Sequence, residues 1–287
     1  MKAASVLKTA LPAGIYAPVR NWAIRLITWK QLLKYVRGAD ARDKFWLWLS
    51  FLASPVTAAF GTTEWRDPLL LRDIVADVPG IGRFALRART DDLWHIVPFR
   101  ERAVLECLRT RLRPGDCFVD AGANIGFYSI AAAKAVGTSG SVLAIEMMEG
   151  TARILREHVE LNDVGNVRVI EGALSTSENA LVVASMPAGS FGQASISDTG
   201  KGEMFEVCST TFDSVLRNTP RVRLLKIDIE GAELEALKGG LDVLDRIEAI
   251  IFEHLDRTVF EKISALLASH GFHIEKLDGS NSMARRL

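Results

Sequence analysis

At 287 residues the chain exceeds one average domain, and an α/β domain of roughly 180–200 residues with an N-terminal appendage fills it. Its 35 Lys and Arg balance 35 Asp and Glu, so net charge gives no reason to expect a nucleic acid partner. Cys107, Cys117 and Cys208 are odd in number, widely spaced and form no C-x-x-C, which argues against a disulfide framework or zinc site and for a reducing compartment.

The first stretch is basic. Residues 1–44 carry nine Lys and Arg against Asp40 and Asp43. All six tryptophans (Trp22, Trp29, Trp46, Trp48, Trp65 and Trp94) fall in the first third of the chain, and residues 45–63 hold no charge. A helix packed against a catalytic domain is the leading reading. An interfacial helix comes second, since cations beside tryptophan and leucine suit a headgroup region. Pro55 and Gly61 argue against a span, because nineteen residues at ~1.5 Å each barely cross a ~30 Å hydrocarbon core. Lys8 and Pro12 interrupt the apolar run that a signal peptide needs. The expected location is cytoplasmic, with peripheral contact to the inner membrane face through residues 1–63.

Residues 63–98 read as a lead-in with strand character, so the expected division is an N-terminal helical extension over 1–98 and a catalytic domain over 99–287. A helix over 99–112 ends at Arg113-Pro114-Gly115-Asp116 and feeds a short buried strand ending near Asp120. Gly122 and Gly126 then allow a tight turn into a helix reaching Val136, and the small residues let a ligand approach the backbone. The spacing lacks the middle glycine of a dinucleotide fingerprint and the Gly-Lys ending of a P-loop, which disfavours pyrophosphate. Asp120 suits an ammonium-bearing ligand. Twenty residues after Gly126 the run Ser141-Val142-Leu143-Ala144-Ile145 ends in Glu146, an acid placed for both ribose hydroxyls. A cationic, ribose-bearing ligand without phosphate describes S-adenosylmethionine.

Further on, a helix over 149–162, a strand over 167–171 and two extra strands near 180–183 and 204–207 follow, with a Ser/Gly loop over 189–201 as a candidate lid. A strand over 222–227, a helix from Gly231, a strand over 249–252 ending at Glu253-His254, a helix over 258–270 and a strand over 272–276 complete the chain. Alternating β and α units imply an α/β fold with a doubly wound, mainly parallel sheet. Ligands in such sheets lie at the carboxyl ends of the strands, where Asp120, Glu146, Glu171, Asp228 and Glu253-His254 fall.

Four segments carry a family resemblance: Val119-Asp120-Ala121-Gly122-Ala123-Asn124-Ile125-Gly126-Phe127-Tyr128-Ser129, the Glu146 strand end, Val167 to Leu174, and Leu225-Lys226-Ile227-Asp228-Ile229-Glu230-Gly231-Ala232-Glu233. In that order they resemble the FkbM-type branch of class I S-adenosylmethionine-dependent methyltransferases, over roughly residues 100–276. Met147-Met148 follow the ribose acid where such families usually carry proline, and methionine packs on an adenine face. The resemblance implies cofactor contacts from Asp120, Gly122, Asn124, Gly126, Phe127, Glu146, Met147, Gly172, Ala173 and Asp228. It implies methyl transfer to a hydroxyl of a sugar, glycolipid or secondary metabolite. N-methylation and a non-catalytic, membrane-associated binding protein are the alternatives. His254 is the favoured general base, with Asp228 positioning cofactor or acceptor and Glu253 or Glu230 orienting the imidazole. A Mg²⁺ ion on Asp228 and Glu230 is the competing, less favoured arrangement; no dedicated metal site is expected. His95, His158, His270 and His273 read as structural.

Overall fold

A computed structural model describes residues 25–60, 68–186, 194–196, 203–254 and 256–286. The chain divides into two compact units, Met1–Val97 and Pro98–Leu287. Trp22, Trp65, the segment tested as a signal peptide and most of the candidate lid lie outside the described residues.

In the first unit a helix over 25–35 (α1) leads to a two-residue strand β1 (Arg37–Gly38) and the long helix α2 (Ala41–Phe60). Strands β2 (Ile74–Val78) and β3 (Gly82–Leu86) pair antiparallel across a turn at Gly80, and β1 adds to their edge. Alternation drives this hairpin: Ile74, Ala76, Val78, Phe84 and Leu86 turn to one buried face. Trp29 of α1 is buried with its ring 5.9 Å from Phe51. A short helix α3 (Asp92–His95) closes the unit, its buried Asp92 held by the Arg87 guanidinium at 2.7 Å.

The second unit opens with α4 (Arg102–Arg111), then β4 (Cys117–Ala121), α5 (Phe127–Val136), β5 (Ser141–Glu146), α6 (Glu149–Leu161) and β6 (Val167–Glu171). A small side sheet follows, made of β7 (Ala173–Leu174), β8 (Leu181–Met186) and β9 (Glu203–Thr210). After a short helix α7 (Phe212–Val215) come β10 (Leu224–Ile227), α8 (Glu233–Lys238), β11 (Ala249–Glu253), α9 (Arg257–Ser269), β12 (Phe272–Lys276) and β13 (Asn281–Arg286).

Seven of these strands form one sheet in the order β12-β13-β11-β10-β4-β5-β6. Every pairing from β11 to β6 is parallel, and β13 alone runs against its neighbours. The chain winds outward from β4 through β5 to β6, then returns to lay β10 on the other side of β4. The topological switch point therefore falls between β4 and β10, and a crevice opens at their carboxyl ends. One face of the sheet is continuous apolar core, where Val119, Leu225, Ile227, Ile250 and Phe252 meet.

β13 was not expected. Its Asn281 and Ser282 look like loop residues, yet both are buried because the strand lies between β11 and β12.

Candidate functional site

The site grows from two neighbouring strands. Val119 and Ala121 of β4 point into the core cluster, so Asp120 must point to the opposite face. Leu225 and Ile227 of β10 impose the same parity on Lys226, which is the register partner of Asp120. The result is a buried acid beside a buried lysine, with Lys226 Nζ 4.0 Å from Asp120 Oδ1. The Ser129 hydroxyl of α5 donates to Asp120 Oδ2 at 2.6 Å, and the Lys226 ammonium lies 5.0 Å from the centre of the Tyr128 ring.

Asp120 is thus held inside the fold by Ser129 and Lys226, its side chain closed to solvent. Burial raises its pKa above the usual carboxylate range, and the Lys226 charge works against that rise.

At the end of β4 the backbone turns through Gly122 (φ 78°), Asn124 (φ 49°) and Gly126 (φ 88°). A Cβ on Gly122 would stand 1.8 Å from the Asp228 carbonyl oxygen, and one on Gly126 would stand 2.1 Å from Leu155 Cδ1. The sequence reading gave both glycines to an approaching ligand. Within the chain, the close approach belongs to the end of β10 and to α6, because the switch point crowds two strand ends together.

Glu146 ends β5 and is nearly buried. Its Oε2 accepts the Asn124 N–H and its Oε1 accepts the Met148 N–H, both at 2.9 Å. The carboxylate therefore staples the glycine loop to the strand end, and each oxygen keeps acceptor capacity. Burial raises its pKa to about 7 against those two backbone donors. The Gly172 N–H donates to the Glu146 carbonyl, so Gly172 and Ala173 border the same strand end. Glu171 is half exposed and pairs with Arg156 at 2.5 Å. His158, read from sequence as structural, is completely buried and bonds through Nδ1 to the Ile125 carbonyl at 2.7 Å, which fixes the loop from beneath.

On the β10–β11 side the groups are charged. Lys226 Nζ donates to Asp228 Oδ2 at 2.9 Å. Burial alone would raise the Asp228 pKa, but the Lys226 charge and hydrogen bond outweigh it and bring the carboxyl down to about 2. Glu253 hydrogen-bonds to Asp228, and its own pKa is driven far up by burial and by the Asp228 charge, so Glu253 carries the proton of the pair. Glu230 sits in the left-handed region (φ 53°), with its pKa raised to about 7 by burial and the nearby Asp228. Glu233 at the start of α8 accepts the Ile229 and Gly231 N–H groups at 3.1 Å each, which closes the Ile229-Glu230-Gly231 turn.

Arg100, Glu101 and Tyr128 join this group without having been picked out from sequence. Arg100 feels Glu101, Asp228 and Glu253, whose charges outweigh its burial and raise its pKa. The Tyr128 hydroxyl donates to Glu101 Oε2 at 2.7 Å. From the described part of the candidate lid, Ser195 pairs with Ser185 and its hydroxyl donates to the Glu230 carbonyl at 2.7 Å. A cleft of about 640 Å³ is lined by Phe99, Arg100, Glu101, Ala103, Glu106 and Asn281 among others.

His254 does not join them. Its Nε2 meets the Ser282 hydroxyl at 3.2 Å and its ring lies 4.9 Å from Phe260. Burial, then the Lys276 charge, lowers its pKa. The expected orientation of the imidazole by Glu253 is corrected: Phe252 faces the core, Glu253 the acidic group, and His254 turns back toward the face of Phe252. Among the described residues, no three His, Cys, Asp or Glu side chains are grouped to hold a metal ion.

The family model described as the methyltransferase FkbM domain matches residues 120–274, which include Asp120, Glu146, Asp228, Glu230 and Glu253. The chain belongs to the FkbM methyltransferase family. A hexuronic acid methyltransferase of Haloferax volcanii is 27% identical over 68% of this chain and 77% of its own length. A methyltransferase of Beauveria bassiana is 26% identical over 61% of this chain and 80% of its own length. Among solved structures, an FkbM methyltransferase of Methylobacillus flagellatus is 17% identical with a TM-score of 0.43, over 67% of this chain and 53% of that one.

Proposed function

We propose that this FkbM-family methyltransferase moves a methyl group from S-adenosylmethionine to a hydroxyl oxygen of a sugar, glycolipid or secondary metabolite. The observation that carries the cofactor is the Glu146 carboxylate, held between the Asn124 and Met148 N–H groups with acceptor capacity left on both oxygens. Those acceptor oxygens suit the two hydroxyls of a vicinal diol and repel a phosphate. Gly122, Asn124, Gly126, Phe127, Met147, Gly172, Ala173 and Asp228 would complete the cofactor surround. Asp120 would act from behind, through Ser129 and Lys226.

When bound, the sulfonium supplies an activated methyl carbon, so the protein needs no nucleophile of its own. Its work is alignment and proton removal. Asp228, kept ionised by Lys226, would position the acceptor or cofactor, and Glu253 holds the proton between them. Glu230 is the better base at neutral pH, because a carboxyl with a pKa near 7 both ionises there and holds a proton. We therefore move the base from His254 to Glu230. The acceptor class is supported by the hexuronic acid named for the Haloferax volcanii relative.

The test is incubation of the purified protein with methyl-labelled S-adenosylmethionine and fractionated extracts or uronic acid glycosides, following the label. Turnover should climb as pH rises through about 7, since Glu230 must be ionised to accept a proton. Glu230→Gln should lower turnover by about 10²–10⁴ and remove that climb while leaving cofactor affinity nearly intact. Full turnover in the variant would remove Glu230 from this role. Loss of wild-type turnover on chelation, restored by Mg²⁺, would instead favour the metal arrangement on Asp228 and Glu230.

A further inference from the structure

α2 is amphipathic in the wrong sense for a helix that only packs on its own unit. Its side chains Phe45, Trp48 and Leu52 are 59%, 53% and 66% exposed. Their spacing of three and four residues lines them up as one stripe along the helix. The opposite side buries Asp43, Leu47, Ser50 and Ser54. Ser50 donates to the Trp46 carbonyl and accepts the Leu71 N–H, so the polar inward side is satisfied within the unit. The helix therefore buries Leu47 with three polar residues and leaves Phe45, Trp48 and Leu52 facing solvent. An apolar patch of this kind marks an interaction surface.

The charge around the stripe identifies the partner. Arg42 and Lys44 are exposed at its amino-terminal end, and Lys30 and Lys34 are exposed on α1. Arg37 is exposed as well, so among the described residues the segment just before the stripe carries several exposed cations in a chain of zero net charge. Cations next to exposed Trp, Phe and Leu match an interface where anionic headgroups overlie acyl chains. Spanning is a different matter. No helix among the described residues is long and apolar enough to cross a membrane, and Pro55 sits inside α2. We infer that the Phe45, Trp48 and Leu52 face of α2 docks on the surface of an anionic lipid bilayer.

The experiment is co-sedimentation of the full chain with phosphatidylcholine vesicles, with and without phosphatidylglycerol. The wild type should pellet with the anionic vesicles and not the neutral ones, and release as salt shortens the Debye length to ~10 Å near ~0.1 M and below that at higher salt. Glutamine keeps helix propensity and these side chains lie outside the core. The triple variant Phe45→Gln, Trp48→Gln, Leu52→Gln should keep its circular dichroism and bind about a hundredfold more weakly, and Trp48→Gln alone about tenfold. Failure of the wild type to bind at low salt, equal binding of wild type and both variants, or equal binding to neutral vesicles would overturn the inference. So would a dimer in solution that the triple variant dissolves, which would give the face to a second copy of the chain.

Discussion

On the β4–β5 side of the crevice the chain holds its site with main chain: Glu146 accepts N–H groups from Asn124 and Met148, His158 donates to the Ile125 carbonyl, and Gly122, Asn124 and Gly126 absorb the positive φ angles. On the β10–β11 side it uses side-chain charge, with Lys226, Arg100, Asp228, Glu230 and Glu253 gathered from three segments. The first arrangement is local and stiff, and suits a ligand whose shape does not vary between family members. The second places titrating groups at pKa values that burial and neighbours set, which is what proton transfer needs. The difference teaches where each kind of perturbation should be felt: as loop geometry on one side and as charge balance on the other.

The strongest way to break that contrast is to remove the cation on which the second side rests. Lys226→Met leaves Asp228 and Asp120 without their buried partner, and losing one member of a buried pair costs about 3–5 kcal/mol. For a unit of this size the melting temperature should fall by roughly 6–20 °C. The pH dependence fixes the cause. Asp228 has its folded pKa lowered to about 2, so its stabilising contribution is present above the ordinary carboxylate pKa and is lost as pH falls toward 2. The gap between wild type and variant should therefore narrow in acid. Addition of Asp228→Asn should recover part of the loss at neutral pH. A melt unchanged by Lys226→Met would show that the charges are not carried by this lysine.

A smaller effect should separate the backbone side. Glu146→Ala removes the acceptor of two loop N–H groups together with the proposed diol contact, at roughly 1.5–3 kcal/mol for charged hydrogen bonds. Calorimetry should give a ten- to hundredfold weaker affinity for S-adenosylmethionine and for its demethylated product alike. Equal affinity in wild type and variant would end the ribose assignment, and a loss confined to turnover would move Glu146 to the chemical side.

The backbone side was also the legible one. Glycine punctuation and helical periodicity placed α6 to within one residue of Glu149–Leu161 and β6 at Val167–Glu171, because strand and helix signals are local. β13 escaped because Asn281-Ser282-Met283-Ala284-Arg285-Arg286 owes its strand to two neighbours rather than to its own composition. Arg100, Glu101 and Tyr128 escaped for a related reason. They lie about a hundred residues or more before Asp228, and only the winding of the sheet brings them to it. Lys226 was passed over too, although a lysine in an otherwise apolar strand is a local signal that could have found it, since a buried cation demands an acid nearby.

The smallest effect concerns His254, and parity alone could have anticipated it. β11 ends at Glu253, and a chain that keeps alternating one residue further puts His254 on the side of Phe252, where its contacts with Ser282 and Phe260 lie. The imidazole instead contacts the Ser282 hydroxyl and the Phe260 ring, and its pKa is lowered by burial and by Lys276. That set of contacts supports the turn into β13 and includes none of Asp228, Glu230 or Glu253. His254→Ala should leave turnover within about threefold of wild type, against about 10²–10⁴ for a lost general base, and should cost only about 0.5–1.5 kcal/mol for one hydrogen bond. A hundredfold loss of turnover with unchanged cofactor affinity would return the base to His254. It would then require the β11 end to rotate its imidazole across the sheet during catalysis.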